Sequence, residues 1–383
     1  MRIGIDNIST GESTQRDGPG GMRNYLKKLV SGLAAQAPEH IFVLFSPRSA
    51  DVLLGEFPPN VECVYLGLVP TNRSLRILYQ QTGLVLAIEN ARLDVFLATA
   101  TVAPIFTSIP VVLVVQFLQF YHWPEGYGRV RTSYLKCMLP WSLRKARQVI
   151  TFTESAKKDL VALTSVAPSK VHVVPHGVSP DIFQSTESHQ VNDINRLTGG
   201  RPYILYVSAT YSYKNHVRLI RAFGILKQKC AIPHALVFVG SEVDVSFSHL
   251  KSIALLAGVA TDVICAGRLE SQTSVAAAYR GAEVATMPSL YETFGYPAIE
   301  AMLCGCPVVT SNCGSMAEIG SGAAVLVDPL DENSIADGLR SVLESPTLRQ
   351  RLIRDGQIRA HEFTWERSVR GTLDALRDAV EAS

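Results

Sequence analysis

Two glutamates eight residues apart, Glu292 and Glu300, stand in the run Pro288-Ser-Leu-Tyr-Glu292-Thr-Phe-Gly-Tyr-Pro-Ala-Ile-Glu300-Ala-Met-Leu-Cys-Gly305-Cys-Pro307. Paired carboxylates can serve as acid and base when they flank a glycosidic bond at ~5–9 Å, or they can accept hydrogen bonds from sugar hydroxyls. Earlier in the chain, Val207-Ser-Ala-Thr-Tyr-Ser-Tyr213-Lys214-Asn215 supplies a cation in a strand-to-helix loop. A departing diphosphate carries about two negative charges, whereas a helix N-terminus offers only about half a positive one. Lys214 is placed to make up the difference, although most lysines at such positions are simply solvated. Near the start, Asp17-Gly18-Pro19-Gly20-Gly21-Met22 could cradle a phosphate or form a plain tight turn. It is not Gly-x-Gly-x-x-Gly, and no acidic residue follows a second strand in the dinucleotide pattern, so NAD is not expected.

The elements that must hold these residues can be read from periodicity. Val284-Ala-Thr-Met287 is a short buried strand, Phe294-Gly295-Tyr296-Pro297 a turn, and Ile299–Leu303 the first turns of a helix that proline pre-organises. One carboxylate therefore sits beyond a strand's carboxyl end, where open α/β sheets bind ligands. In the first half, strands are expected at Arg2–Asp6, Ile41–Ser46, Val61–Leu66, Val95–Ala98, Val111–Gln116, Gln148–Thr153 and Val171–Pro175. Helices are expected at Met22–Ala35, Leu75–Asn90 and Ser155–Leu163, and the polar run Gln184–Arg201 reads as a linker. A second series follows: Tyr203–Ser208, Ala235–Gly240, Val263–Gly267, Val284–Pro288, Pro307–Ser311 and Ala324–Asp328. Alternating strands and helices predict two α/β units with parallel sheets.

Length and composition agree with two domains. The chain has 383 residues, is 47% hydrophobic, and carries a net charge of +2, which gives no footprint for nucleic acid. Seven cysteines without regular spacing read as reduced thiols in a cytosolic protein, and Met1-Arg-Ile-Gly-Ile-Asp6 enters a strand without a signal peptide. Cys304, Cys306 and Cys313 cluster without a nearby histidine, so core thiols are expected rather than zinc ligands. The stretch Val95–Pro124 lacks any charged side chain, yet Pro104 and Pro110 interrupt it. Two buried parallel strands joined by a loop fit it better than a membrane span.

The phrase around Glu292 and Glu300 resembles the Glu-x7-Glu signature of the retaining GT4 glycosyltransferases, and the resemblance extends over nearly the whole chain. It implies the GT-B fold: two Rossmann-like domains with parallel sheets facing a central cleft. Residues 1–184 would bind the acceptor and 201–362 the nucleotide sugar, with a helix in 363–383 crossing back to the first domain. It further implies that Gly20 and Gly21 face the donor diphosphate and acceptor, and that Lys214 neutralises the leaving group. Glu300 would accept hydrogen bonds from ribose, while Glu292, with the N–H groups of Phe294 and Gly295, would hold the donor sugar. The implied mechanism is front-face, with the leaving phosphate helping to deprotonate the acceptor. No Asp-x-Asp occurs in the chain, so no metal cofactor is expected. Arg268, at the end of a strand, could stack on the base or reach a phosphate, or be a surface arginine.

The chain departs from the GT4 pattern in two places. Tyr213 and Ala209 stand where relatives often have arginine, leaving Arg218 and Arg268 as candidates for a second cation. Gln116 stands where many relatives have histidine at a first-domain strand end. Glutamine can hydrogen-bond a sugar hydroxyl but cannot titrate, and His122 should lie in a loop too far along to replace it. Between Tyr127 and Trp141, Arg129, Arg131 and Lys136 alternate with Leu135, Met138 and Leu139, as in helices that meet anionic lipid, although Pro140 interrupts the segment.

The resulting expectation is a hexosyltransferase that uses a GDP- or UDP-linked sugar, mannose favoured. Its acceptor would be a glycan or glycolipid of cell-surface polysaccharide or lipopolysaccharide synthesis, met at the cytosolic membrane face. The alternatives are a GT-B phosphorylase or nucleotide-sugar epimerase, or a non-catalytic nucleotide-sugar-binding subunit. Lys214→Ala should lower turnover and nucleoside diphosphate affinity with little change in the melting temperature of the ligand-free protein.

Overall fold

The computed structural model describes residues 1–8, 21–47, 57–67, 69, 73–184 and 192–381. The chain divides into two compact units, Met1–Gly177 with Trp365–Ser383, and Val178–Thr364. Residues 178–184, expected with the first domain, therefore belong to the second. There, helix Pro180–Gln184 packs on helices Gln272–Gly281 and Tyr296–Leu303. Phe183 is buried, and its carbonyl accepts from Arg280 Nη1 at 3.1 Å.

The first unit holds strands β1 (Arg2–Asp6), β2 (Ile41–Pro47), β3 (Val61–Leu66), β4 (Val95–Ala98), β5 (Val111–Val114), β6 (Gln148–Thr151) and β7 (Val171–Val173). They form one sheet in the order β3-β2-β1-β4-β5-β6-β7, with every pairing parallel. The uncharged stretch resolves into β4 and β5, side by side in the register Phe96↔Val111, and all eight of their residues are buried. Central parallel strands are covered on both faces, which explains the continuous apolar runs. The helix expected over Leu75–Asn90 is two helices, Arg73–Gln81 and Gly83–Asn90. The break falls at Thr82, whose φ and ψ of −128° and −78° leave the helical region and whose hydroxyl bonds back to Leu78 O. Helix Trp365–Glu381 packs on helix Gly21–Gln36 and on β6, burying a stripe of Val369, Thr372, Leu373 and Leu376.

The second unit holds β8 (Tyr203–Val207), β9 (Ala235–Val239), β10 (Val263–Gly267), β11 (Val284–Met287), β12 (Val308–Ser311) and β13 (Val325–Val327). The order is β10-β9-β8-β11-β12-β13, again fully parallel. Strand order thus reverses between β1 and β4 in one unit and between β8 and β11 in the other. The reversal opens a crevice at the carboxyl ends. Within the expected linker, of which residues 185–191 lie outside the described residues, Asn192–Thr198 is a helix that packs against β10, with Ile194 buried.

Candidate active site

The reversal point of the second unit is where Lys214 and Glu292 meet. Lys214 ends the loop after β8 and Glu292 lies in the loop after β11; Lys214 Nζ stands 2.5 Å from Glu292 Oε1. The two side chains are only 14% and 12% exposed. Lys214 is therefore not a solvent-facing lysine, because β8 and β11 are neighbours and their loops press together. The ammonium also lies 5.5 Å from the Tyr213 ring centroid, and Tyr213 stacks on Tyr211.

A set of hydrogen bonds locks the two loops. Leu290 N donates to Tyr213 O at 2.8 Å, and Asn215 Nδ2 donates to Pro288 O and Pro329 O at 2.9 and 2.7 Å. Tyr206 Oη, rising from β8, donates to Lys214 O at 2.9 Å and lies 3.1 Å from Ser289 Oγ. Asn215 adopts φ +68°, a left-handed conformation that asparagine tolerates better than most residues, and begins helix His216–Lys229 from there. Arg218, one turn beyond Lys214, donates to Asn215 Oδ1 at 2.8 Å, so this candidate second cation is tied to the loop itself. His216 lies beneath, stacked on Tyr206 at 4.7 Å, and burial, with a smaller effect from Lys214, lowers its pKa to about 3.

Glu300 lies in helix Tyr296–Leu303, with Pro297 in the first turn. The residue is half-buried, and burial pushes its carboxyl up to about 7. Gly295 caps this helix at φ +129°, where a Cβ would stand 2.7 Å from Met316 Sδ, so only glycine fits. Phe294 is buried edge-on against Tyr296 and Phe363. Arg268 follows β10, the edge strand, and is exposed two strands away from β8. Among the described residues it makes no hydrogen bond or ion pair with Lys214 or Glu292. Cys304 and Cys306 are free thiols in a helix end and a core, and no metal-holding group of three ligands occurs among the described residues.

In the first unit, Gln116 lies two residues beyond β5, since the strand is shorter than expected; its Nε2 donates to Thr99 O at 3.2 Å. Thr99 Oγ1 in turn donates to the carbonyl of Asp6 at 2.6 Å. Asp6 is fully buried at the end of β1, and burial pushes its carboxyl up to about 6. Gly21 begins helix Gly21–Gln36, while Gly20 lies outside the described residues. Of Tyr121-His-Trp-Pro124, expected as loop, the first two residues end helix Gln119–His122, and His122 Nε2 pairs with Asp159 Oδ2 at 3.0 Å. Sequence reasoning passed over Tyr206, Asn215 and Ser289 as locking residues. The available signals were a tyrosine within an apolar strand and an asparagine opening a helix.

Two family profiles match the chain, "Glycosyltransferase Family 4" over residues 19–182 and "Glycosyl transferases group 1" over residues 188–359. The chain belongs to the GT4-type glycosyltransferases. The MMP alpha-(1->4)-mannosyltransferase of Mycolicibacterium hassiacum is 32% identical over 62% of this chain and 56% of its own length. O-antigen chain mannosyltransferase B of Escherichia coli is 24% identical over 66% of each. The chain thus spans between about half and two thirds of the length of these curated relatives. The solved structure of Anabaena HepE in complex with UDP matches with a TM-score of 0.74 at 17% identity, covering 98% of this chain and 99% of that one. That likeness establishes the fold, GT-B.

Proposed function

We propose that this protein transfers a hexose from a nucleoside diphosphate sugar to a hydroxyl of a glycan or lipid-linked glycan, with retention of configuration. The observation that carries the reading is the Lys214–Glu292 pair at the β8/β11 reversal point, with Glu300 on the helix that follows. In this reading the diphosphate draws Lys214 away from Glu292, and the freed carboxylate accepts hydrogen bonds from the donor sugar. Glu300 accepts from the ribose. The bond from sugar C1 to the phosphate oxygen breaks, and the acceptor oxygen bonds C1 on the same face. The acceptor's proton passes to the departing phosphate. No metal step is needed when Lys214, aided by Arg218, balances the leaving charge.

Mannose is the favoured sugar because two similar proteins are mannosyltransferases, and the HepE complex makes a uridine donor the competing choice. Contact with a membrane surface is part of the reading. Helix Arg129–Lys145 runs through Pro140 and presents exposed Val130 and Trp141, with Arg144 5.4 Å above the Trp141 ring. No helix among the described residues is long and apolar enough to cross a membrane. The test is calorimetry with a panel of GDP- and UDP-sugars, followed by transfer to a glycolipid extract and anomeric analysis of the product. Binding of none of the donors would refute the reading. An inverted product would refute the mechanism.

A further inference from the structure

The first unit contains a pocket of about 260 Å³ that the residues discussed so far do not explain. Its walls come from helices Arg73–Gln81 and Arg129–Lys145 and from the loop after β4. Arg76 and Arg131 line it, and no acidic side chain is among the described residues that do. Arg131 is held flat, its guanidinium 4.5 Å from the Tyr127 ring centroid and 5.9 Å from that of Phe117. Thr101 and Tyr134 also line the pocket; the Thr101 hydroxyl is buried with no hydrogen-bond partner among the described residues, and the Tyr134 hydroxyl faces the Gln81 amide. Thr101 is only 2% exposed. The Gln81 amide also holds the loop after β4: its Nε2 donates to Ala103 O and its Oε1 accepts from Ile105 N. A wider depression of about 490 Å³ continues outward past Ile77, Arg131 and Tyr134 to exposed Val130.

An unsatisfied buried hydroxyl such as that of Thr101 is uncommon because it forfeits its hydration, and a ligand that bonds it recovers that loss. Two guanidiniums beside two hydroxyls match the geometry and charge of a tetrahedral phosphate, which arginine forks bind through paired N–H groups. The apolar outer depression suits whatever carries that phosphate. We propose that this pocket binds a phosphate group borne by the acceptor, through Arg76, Arg131, Thr101 and Tyr134. Only the word acceptor rests on the glycosyltransferase reading; phosphate binding stands by itself.

The test titrates the full chain, with nucleoside diphosphate already saturating so that Lys214 is occupied. The probes are glucose 6-phosphate and vesicles of phosphatidylcholine with or without phosphatidic acid. Saturable binding is expected. It should weaken at least tenfold in Arg131→Gln and in Arg76→Gln, and about threefold in Thr101→Val, as for charged and neutral hydrogen bonds. Arg131→Lys, which keeps the charge and packs similarly, should bind between wild type and Arg131→Gln. Nucleoside diphosphate affinity should be the same in all four variants. Arginine-dependent binding of the soluble ester assigns a soluble acceptor, and arginine-dependent binding only to phosphatidic acid vesicles assigns a lipid-borne one. Absence of binding to both probes, or binding indifferent to both arginines, overturns the proposal. Loss of nucleotide binding by wild type would instead overturn the glycosyltransferase reading and leave the phosphate result standing.

Discussion

The two sheets reverse strand order at equivalent places and equip them with opposite chemistry. At the β8/β11 reversal, a lysine and a carboxylate are shut together at 2.5 Å, under loops locked by Asn215 and Tyr206. At the carboxyl ends of β1, β4 and β5, the polar groups are an amide, a hydroxyl and a carboxyl pushed up to about 6, with Gln116 bonded to Thr99 and Thr99 to Asp6. A buried ion pair stabilises little relative to apolar packing, but breaking it is costly because one charge is stranded. The bonds among Gln116, Thr99 and the Asp6 backbone carbonyl join uncharged groups, so removing one of them strands no charge. The second unit is therefore sensitive to single substitutions in a way the first is not.

The largest test of this contrast is Lys214→Ala. Leaving Glu292 buried without its partner should cost about 3–5 kcal/mol in denaturant unfolding. Turnover should fall roughly a hundredfold or more, as for loss of one preorganised electrostatic donor. This reverses the expectation, from sequence, of an almost unchanged melting temperature. Adding Glu292→Gln should restore most of the stability and none of the turnover. A single variant as stable as wild type would show the pair to be open to solvent.

Asn215→Gly comes next. Glycine keeps the left-handed backbone but removes both side-chain bonds to Pro288 and Pro329. The expected loss is about 1–3 kcal/mol of stability, together with weaker nucleotide binding as the two loops part. Unchanged nucleotide affinity would mean that the lock serves only folding.

Glu300 makes a pH prediction of about one tenfold step. Burial pushes its carboxyl up to about 7, and under the proposed role in ribose binding the ionised form would be the one that accepts the hydroxyls. Nucleotide affinity should rise about tenfold from pH 6 to 8, with proton release on binding, equivalent to ~1.4 kcal/mol. In Glu300→Gln the profile should be flat and the affinity lower. The sign for stability is opposite. Because folding raises this pKa from 4.5, stability is fully present below that value and is lost as pH rises through about 7. A wild-type affinity that falls between pH 6 and 8 would remove Glu300 from ribose binding.

The smallest effect belongs to Gln116, the first unit's member of the comparison. Gln116→Ala removes one neutral hydrogen bond and should lower kcat/KM by up to about tenfold with little change in melting. Gln116→His should keep partial activity and introduce an inflection near pH 6–7 that wild type lacks. An alanine variant with wild-type kcat/KM would confine the chemistry to the second unit.

Much of this arrangement was legible along the chain. Hydrophobic periodicity located the thirteen strands among the described residues, because a parallel strand covered on both faces must be apolar throughout. It misplaced their ends by one or two residues, as at Val111–Val114, where β5 stops before Gln116. The helix break at Thr82 escaped it, as did the helix Asn192–Thr198 inside a polar segment. In both places local composition was outweighed by packing, of Tyr79 against Gly83 in one and of the helix on β10, with Ile194 buried, in the other.

Residue type and spacing by themselves determined the family, the strand-end positions of Lys214, Glu292 and Gln116, and the turn at Phe294–Pro297. These are local properties, set by side-chain chemistry, by period and by the turn before a helix. Only the tertiary structure decided that Lys214 and Glu292, 78 residues apart, are partners. It also decided that burial raises Glu300, and that Arg76 and Arg131 from separate helices line one pocket. Pairing, burial and convergence depend on which strands become neighbours, and the order β8-β11 is a property of the folded sheet rather than of any segment in it.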